Sequence, residues 1–479
     1  MEDYQEVLNA RISEERAAIE LIKITSDLSY EKSIELIIFR NRLVDKSSSE
    51  ILNLHDYAKE FVQKPIEINE TLAIAKAISQ SNLPPSKIDI GKLTYEWIKE
   101  GSPLDQIDDF VGSKLDCLQT KSKNISPKDV ILYGFGRIGR LVARELMAQE
   151  GRGDQLRLRA IVLRNNNDLN LIKRASLLRT DSVHGKFKGT VIADTENKAL
   201  IINGHAIKVL EGSNPEDIDY SAYDINNALL IDNSGAYRDR DSLNKHLQAK
   251  GVAKVLLTAP GNGIPNVVFG ANHLNFNIDT HLVFSAASCT TNAITPILKV
   301  VNNEFGILNG HIETIHAYTN DQNLVDNMHK KERRGRAAAL NMVITNTGAG
   351  NAVVKAIPDL KDKLTANAVR VPTPNGSLAI LNLSLKKSTS TEEINHSIKN
   401  AALEGPLVEQ INYSLSNELV STDIVGNSSP AVFDSPATIV SKDGRNTILY
   451  VWYDNEFGYS CQVVRMAKYM SKVRRPMNY

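Results

Sequence analysis

Three glycines at fixed spacing constrain this chain more than any other feature. In Gly134-Phe135-Gly136-Arg137-Ile138-Gly139 they follow an apolar run, 130–133, and open a helical stretch, 136–150. A strand that turns through glycines into a helix commits the chain to a β-α unit. Glycines there let backbone N–H groups approach a dinucleotide pyrophosphate at the helix N-terminus. The same glycines also suit an ordinary structural turn. The text downstream keeps the rhythm: 158–163, 229–233 and 255–258 read as short apolar strands, with a helix over 241–250. That alternation predicts a doubly wound Rossmann-type sheet.

A second feature carries chemistry. Ser288-Cys289-Thr290-Thr291-Asn292 sits between an apolar run, 281–287, and an apolar helical stretch, 293–301. Cys289 is therefore expected at a strand end, in the first turn of a helix. Unpaired N–H groups and the positive end of the helix dipole favour thiolate there, and the thiolate is the nucleophile. A buried, inert cysteine is the alternative. A nucleophilic cysteine needs a base. His316, in Thr314-Ile315-His316-Ala317, is the best-placed candidate, ahead of His311 and His329. A reactive cysteine downstream of a dinucleotide fold suggests aldehyde oxidation through a thioester.

After Cys289 the strands lengthen, over 310–318, 366–370, 377–385 and 447–453, and 457–474 reads as a closing helix. This half is expected to be α+β with a mostly antiparallel sheet. Residues 1–118 differ. Ile51, Leu54, Ala58 and Phe61, then Leu104, Ile107, Val111, Leu115 and Leu118, recur at helical spacing. Ser47-x-x-Glu50 fits a capping box, and Ser102-Pro103 an N-cap with an N1 proline. Five or six helices and little strand are expected. His55 reads as a core or surface residue. A polar stretch, 119–127, reads as a linker. The expected domains are a helical extension, 1–124, of unassigned role; a dinucleotide-binding domain, 128–288, joined by helix 457–479; and a catalytic domain, 289–456.

Composition excludes several classes. Lys+Arg and Asp+Glu both number 56, so no net charge argues for nucleic acid or anionic membrane. No apolar run is long enough to span a bilayer, and the acidic Met1–Glu6 stretch does not resemble a secretory signal. Three widely spaced cysteines, Cys117, Cys289 and Cys461, give neither a disulfide framework nor a metal spacing. A cytoplasmic protein without metal is expected.

Two arginine features remain. Arg333, Arg334 and Arg336 form a basic cluster, suited to a solvated turn, a subunit contact or phosphate. Arg370, in Ala368-Val369-Arg370-Val371-Pro372, is a charge within an apolar strand, where a partner is expected. The second strand ends in Leu163-Arg164-Asn165-Asn166-Asn167-Asp168. An acid there would read the ribose 2′-OH of NAD, and an arginine would accommodate the 2′-phosphate of NADP. Arg164 stands at the strand end and Asp168 comes late.

Taken together, these motifs resemble phosphorylating glyceraldehyde-3-phosphate dehydrogenase over residues 128–479. The residues that carry it are Tyr133-Gly134-Phe135-Gly136-Arg137-Ile138-Gly139-Arg140, Asp181-Ser182-Val183-His184-Gly185-Lys186, Ala287-Ser288-Cys289-Thr290-Thr291-Asn292, Thr314-Ile315-His316-Ala317-Tyr318-Thr319, Thr347-Gly348-Ala349-Gly350, Arg370-Val371-Pro372-Thr373-Pro374-Asn375 and Trp452-Tyr453-Asp454-Asn455-Glu456. The resemblance implies Cys289 as nucleophile and His316 as base. It implies that Ser288, Thr290, Thr319, Arg334, Thr347, Gly348 and Arg370 hold the substrate phosphate and inorganic phosphate. Gly134, Gly136, Arg137, Ile138 and Gly139 would form the cofactor loop, with Ser234 near the nicotinamide ribose and Asn455 on the carboxamide. The implied reaction converts glyceraldehyde 3-phosphate and inorganic phosphate reversibly to 1,3-bisphosphoglycerate, with NAD or NADP as cofactor, in glycolysis or gluconeogenesis. A homo-tetramer is implied as well. The rivals are erythrose-4-phosphate dehydrogenase and a non-catalytic sensor that works through its N-terminal helices. Four departures stand out: Ile131 and Tyr133 in the loop, a ribose-reading aspartate that is absent or displaced, Ala293 in place of a second cysteine, and the segment 1–118.

Overall fold

A computed structural model describes residues 4–101, 103–121 and 125–478. The chain divides into two compact units. One comprises Met1–Pro127, Glu150–Gln155 and Val473–Tyr479; the other comprises Lys128–Gln149 and Leu156–Lys472.

The larger unit starts with the strand Lys128–Tyr133, whose last four residues are buried. It lies inside an eight-stranded sheet ordered Val283–Ser285, Val252–Leu257, Ala228–Asp232, Lys128–Tyr133, Leu156–Leu163, His205–Glu211, Ala199–Ile202 and Val191–Asp194. Strands from Val283–Ser285 through His205–Glu211 run parallel, and the central runs 130–133, 160–163 and 228–231 are apolar and buried, as a parallel sheet covered on both faces requires. The last two strands add an antiparallel edge. Sequence periodicity does not reveal them, because they are short and their ends are polar. Their one legible signal is Asn203-Gly204, with φ of 48° and 86°. Two central residues at positive φ are what a two-residue type I′ hairpin requires.

A second eight-stranded sheet is ordered Val343–Thr345, Leu364–Val371, Ile307–Ala317, Ser377–Leu385, Asn446–Tyr453, Ala431–Asp434 and Ile411–Ser414, with Ile439–Val440 paired to Asn446–Tyr453. It is mostly antiparallel, as expected. Its parallel pairs join Ile307–Ala317 to Leu364–Val371 and Ile411–Ser414 to Ala431–Asp434. The helix Cys289–Phe305 links the two sheets and is buried over most of its length.

The smaller unit holds the helices Tyr4–Lys32, Ser48–Val62, Ile68–Gln80, Ile90–Glu100 and Ile107–Lys121. Ile51, Ala58, Phe61, Val111, Leu115 and Leu118 face inward, as their spacing predicts. The Ser47–Glu50 capping box forms, and against the cost of burial its bonds hold the Glu50 carboxyl down at about 2. His55 is a core residue, bonded to Ile51 O at 2.8 Å and Thr71 Oγ1 at 3.0 Å. Ser102, of the predicted Ser102-Pro103 cap, lies outside the described residues.

Beside the helices the structure adds a four-stranded sheet, ordered Asn41–Arg42, Glu35–Ile38, Lys87–Asp89 and Met477–Asn478. Strands of two to four residues are too short to show a period. Two predicted boundaries change. Helix Ile107–Lys121 takes in Gln119, Thr120 and Lys121 of the expected linker, because Leu115 and Leu118 anchor its last turns; Ser122, Lys123 and Asn124 lie outside the described residues. The closing helix ends at Met470, not within 474–479, and the chain reverses at Lys472, φ 59°. Pro476 disfavours helical backbone at Arg475. Residues 473–479 therefore belong to the smaller unit and not to the dinucleotide-binding domain. Val473 is buried, and Met477 pairs with Lys87 in parallel register.

Deletion of residues 1–124 is expected to leave the larger unit folded and soluble, with a frayed 473–479 tail that has lost its partner strand. Limited proteolysis and thermal unfolding check this. Cleavage confined to the tail, with a cooperative transition retained, is the expected outcome; an insoluble product would show that the helices complete the core.

Candidate active site

The glycine loop meets its geometric demands. Gly134 has φ 92°, and a Cβ there would meet Ser234 N at 2.9 Å. A Cβ at Gly139 would meet Gly134 O at 2.5 Å, which enforces close strand–helix contact. A Cβ at Gly136 meets no protein atom within 4 Å. The constraint on Gly136 thus does not come from the protein's own packing, as fits a glycine kept for a ligand. Gly136 is the N-cap of Arg137–Ala148 and offers no side-chain cap. The first N–H groups of that helix, at Arg137, Ile138 and Gly139, are left for an anion.

The Arg137 side chain is committed elsewhere. Its Nε lies 2.5 Å from Glu456 Oε1, and Nη1 lies 3.1 Å from Asp181 Oδ2. His184 Nε2 adds a 3.0 Å contact to Glu456. Burial would raise the Asp181 carboxyl, but the His184 and Val183 N–H groups and Arg137 hold it well below the usual range. Any contact of Arg137 to a cofactor therefore falls to its backbone. Ser234 donates its N–H to Asp232 Oδ1 at 2.7 Å and accepts from Ala236 N at 3.1 Å. Arg164 is exposed, and its charge is felt at the Tyr133 phenol. Asp168 is the first residue of Asp168–Arg179, and Lys198 Nζ holds its Oδ1 at 2.6 Å.

Cys289 is the first residue of Cys289–Phe305, at the predicted strand-to-helix elbow. Ser288 caps the helix, its Oγ accepting from Thr291 N at 3.0 Å. Ala287 just before it has φ 55°. A non-glycine residue in this region costs about 1–2 kcal/mol. Tyr459 Oη donates to Ala287 O at 2.9 Å and helps to hold the elbow. Asn292 Nδ2 reaches back to Ala286 O at 2.8 Å.

His316 lies on Ile307–Ala317, and its Nε2 stands 3.6 Å from Cys289 Sγ. Neither His311 nor His329 takes this place: His311 bonds Thr365 and Asn367, and His329 bonds Lys331. Arg370 is the register partner of His316 on the adjacent parallel strand. Its Nη1 lies 2.6 Å from His316 Nδ1 and 2.8 Å from Ala317 O. The expected partner of Arg370 is thus an imidazole and a carbonyl. Its Nε is buried without a hydrogen-bond partner. Burial, then the Arg370 charge, pushes His316 down to about 3. Burial also pushes the Cys289 thiol up, while Arg370 and Thr290 pull it back. The thiolate expected from the helix start is therefore opposed by desolvation.

Around this pair, Thr290 Oγ1 lies 3.0 Å from Tyr453 Oη. Arg334 is buried and bonds Asp321 and, at 3.0 Å, Thr345 Oγ1. Thr347 and Gly348 precede the helix Ala349–Ala356, with Thr347 Oγ1 accepting from Ala349 N at 3.2 Å. Among the described residues, Thr319, Thr347 and Gly348 make no hydrogen bond to Cys289 or His316. Asn455 Oδ1 accepts from Ser377 Oγ at 2.8 Å, and the same Ser377 Oγ accepts from Ala317 N at 3.1 Å. Sequence reasoning missed Ser377, Tyr453 and Glu456 as site residues, although Glu456 follows Asn455 directly and Tyr453 lies two residues before it. No group of side chains that could hold a metal ion occurs among the described residues.

Residues 128–240 match the family described as glyceraldehyde 3-phosphate dehydrogenase, NAD binding domain, and residues 288–455 match the C-terminal domain of the same family. A "Glyceraldehyde-3-phosphate dehydrogenase-like protein" of Pseudomonas aeruginosa is 49% identical over 95% of this chain and 99% of its own length. "Glyceraldehyde-3-phosphate dehydrogenase 2" of Trichormus variabilis is 40% identical over 72% of this chain and 98% of its own. "Glyceraldehyde-3-phosphate dehydrogenase 2" of Bacillus subtilis is 39% identical over 71% and 96%.

Proposed function

The chain belongs to the glyceraldehyde-3-phosphate dehydrogenase family, and from that premise we propose that it catalyses the phosphorylating reaction, glyceraldehyde 3-phosphate and inorganic phosphate to 1,3-bisphosphoglycerate. The observation that carries this reading is the Cys289–His316 pair at 3.6 Å, with Arg370 against it. Cys289 attacks the aldehyde carbon and forms a thiohemiacetal. His316 Nε2 holds and then takes the hydroxyl proton. The Cys289 backbone N–H, at the start of its helix, supports the oxygen. The nicotinamide, when bound, supplies the hydride acceptor. The acyl group is left on Cys289 as a thioester, and inorganic phosphate displaces it. Splitting oxidation from acyl transfer replaces one difficult step with two easier ones. Arg334 and Arg370, with Ser288, Thr290, Thr319, Thr347 and Gly348, bind the two phosphates. Asn455, set by Ser377, orients the carboxamide, and Ser234 meets the ribose. Initial rates with glyceraldehyde 3-phosphate and erythrose 4-phosphate, with and without inorganic phosphate, test the reading. A rate that does not need phosphate, or a preference for the erythrose ester, would overturn it.

Arg370→Ala is expected to weaken turnover of glyceraldehyde 3-phosphate far more than that of unphosphorylated glyceraldehyde. A charge-assisted bond to phosphate is worth about 1.5–3 kcal/mol, or roughly 10–150-fold. Equal losses on both aldehydes would make Arg370 a structural residue.

NAD is the cofactor of this family's binding domain; NADP is proposed as a second one. Asp168 is tied to Lys198, and the strand end carries Arg164 and three asparagines. The nearby acid is Glu211, which accepts from Asn166 N at 3.2 Å. Arg164→Ala is expected to weaken NADP more than NAD in side-by-side rate assays. A wild-type NAD preference above about 10³-fold, roughly 4 kcal/mol, would overturn dual use and assign the ribose to Glu211 or Asp168.

A homo-tetramer in the cytoplasm completes the reading. Leu324, Val325, Met328, Leu340 and Met342 are at least 71% exposed, an apolar surface that a second copy would cover. Among the described residues no helix is long and apolar enough to cross a membrane.

A further inference from the structure

Strand order in the parallel sheet reverses between Lys128–Tyr133 and Ala228–Asp232, the place where such sheets open a crevice for a dinucleotide. The ends of these two strands are bonded to each other. Asp232 is the register partner of Tyr133, and Asn233 N donates to Tyr133 O at 2.8 Å. The chain then enters two loops, 134–136 and 233–235. They touch at Gly134, where Ser234 N would stand 2.9 Å from any Cβ.

Asp232 holds the second loop. Its Oδ1 accepts from Ser234 N at 2.7 Å, and its backbone oxygen accepts from Thr258 N at 3.0 Å and Thr258 Oγ1 at 2.9 Å. Its Oδ2 lies 3.0 Å from His246 Nε2, on the helix Arg240–Gln248. Both side chains are wholly buried. A carboxylate only accepts, so Nε2 carries a proton and donates it. The rings of Tyr133 and Tyr237 stand edge-on to the imidazole, at 4.7 and 5.3 Å between centroids. Tyr133 directly precedes Gly134, and Tyr237 comes three residues after Ser234, so the imidazole is seated against the roots of both loops. Its Nδ1 is buried without a hydrogen-bond partner. An unpaired buried nitrogen is costly, and an apolar side chain of similar size would fill the place without that cost. What the histidine adds is the Nε2 donor. Without it, Asp232 Oδ2 would be a buried acceptor with nothing to accept from. The carboxylate would turn to satisfy it and carry Oδ1 away from Ser234 N.

We propose that His246 is a positioning residue for the nicotinamide ribose of the cofactor. It locks Asp232 in the rotamer that holds Ser234 N, and so sets where the Ser234 hydroxyl stands. That hydroxyl accepts from Ala236 N at 3.1 Å, which leaves its own proton to donate to a ribose oxygen. The inference rests on the ribose role given to Ser234 above. His246 is wholly buried and meets no ligand itself; it acts at two removes, through a carboxylate and a loop. The pyrophosphate falls to the N–H groups of Arg137, Ile138 and Gly139, on the other loop. The effect of His246 is therefore confined to the part of the cofactor beyond the pyrophosphate.

The test measures binding of NAD, ADP-ribose and ADP to the full-length protein by calorimetry. ADP-ribose keeps the second ribose, and ADP lacks it. His246→Leu should weaken NAD and ADP-ribose by about 10–100-fold, the range that one lost charge-assisted hydrogen bond spans, and should leave ADP as in the wild type. In rate assays the KM for NAD should rise while kcat stays near its wild-type value, because a ribose contact is made alike in the ground and transition states. A second pair of variants decides the matter if the leucine variant does not fold. The amide nitrogen of His246→Gln stands where Nε2 stood, and that of His246→Asn where Nδ1 stood. The glutamine variant should therefore bind ADP-ribose like the wild type, and the asparagine variant should be weakened. Equal losses on ADP and ADP-ribose, or glutamine and asparagine variants that behave alike, would make His246 a residue of the core and overturn the inference. Ser234→Ala separates it from the reading beneath it. If that variant binds ADP-ribose like the wild type, the ribose role of Ser234 fails and the inference with it. If Ser234→Ala weakens ADP-ribose and the His246 variants do not, the inference alone fails.

Discussion

Cys289→Ser is expected to lower aldehyde oxidation by on the order of 10⁴-fold or more, the scale seen when a covalent nucleophile is removed. That is about 5.5 kcal/mol of transition-state stabilisation. The serine would keep the place at the start of Cys289–Phe305, and Ser288 would still cap that helix. What changes is the acid. A hydroxyl holds its proton far more firmly than a thiol, and the neutral imidazole at 3.6 Å, itself pushed down to about 3 by burial and Arg370, is a weak acceptor. Position 289 is remote in sequence from the glycine loop, so cofactor affinity should stay within a few-fold. Rates with the natural aldehyde, set beside cofactor binding measured by calorimetry, check both halves. Appreciable turnover by the serine variant would remove Cys289 from its role.

His316→Asn should cost on the order of 10²–10⁴-fold in rate, the usual worth of a positioned acid–base group. The variant should also raise the Cys289 thiol pKa further. Burial already pushes it up, and the imidazole is the group that can share or take its proton. The sign is testable: iodoacetamide alkylation of Cys289 should shift to higher pH in the variant. An alkylation profile that matches wild type would mean that His316 and Cys289 do not act as a pair. Because Asn cannot become charged, this variant also separates the donor role of Nε2 from its role as base.

The parts of the site legible in the sequence are those where the backbone itself is demanding. Gly134 is written as glycine because its φ of 92° and the approach of Ser234 N at 2.9 Å exclude a side chain. Ser288 is a cap, Cys289 opens a helix, and His316 closes an apolar strand; each role leaves a local mark. The illegible parts depend on partners far along the chain. Nothing near Arg137 announces that Glu456 and Asp181 will engage its guanidinium. Ser377 looks like the polar start of a strand, yet its hydroxyl joins Asn455 to the backbone beside His316. Arg370 reads as a charge in need of a partner, but only strand register reveals that the partner is His316. The state of the thiol escapes the sequence for a related reason. A helix start can be read from sequence, whereas the desolvation that opposes it belongs to the packed site.

The small sheet has a consequence for the order in which the molecule can be built. Its strand Lys87–Asp89 lies between Glu35–Ile38, which is made just before it, and Met477–Asn478, which is made nearly a whole chain later. During synthesis the first unit therefore emerges with one strand edge open. At typical elongation rates of about 5–20 residues per second it stays so for some tens of seconds, while the entire larger unit is made. Only after Val473–Asn478 leaves the ribosome can that edge close. The earliest part of the protein to appear is thus the last to be finished. A ribosome that stalls before Met477–Asn478 would release a molecule with an exposed strand edge as its defect.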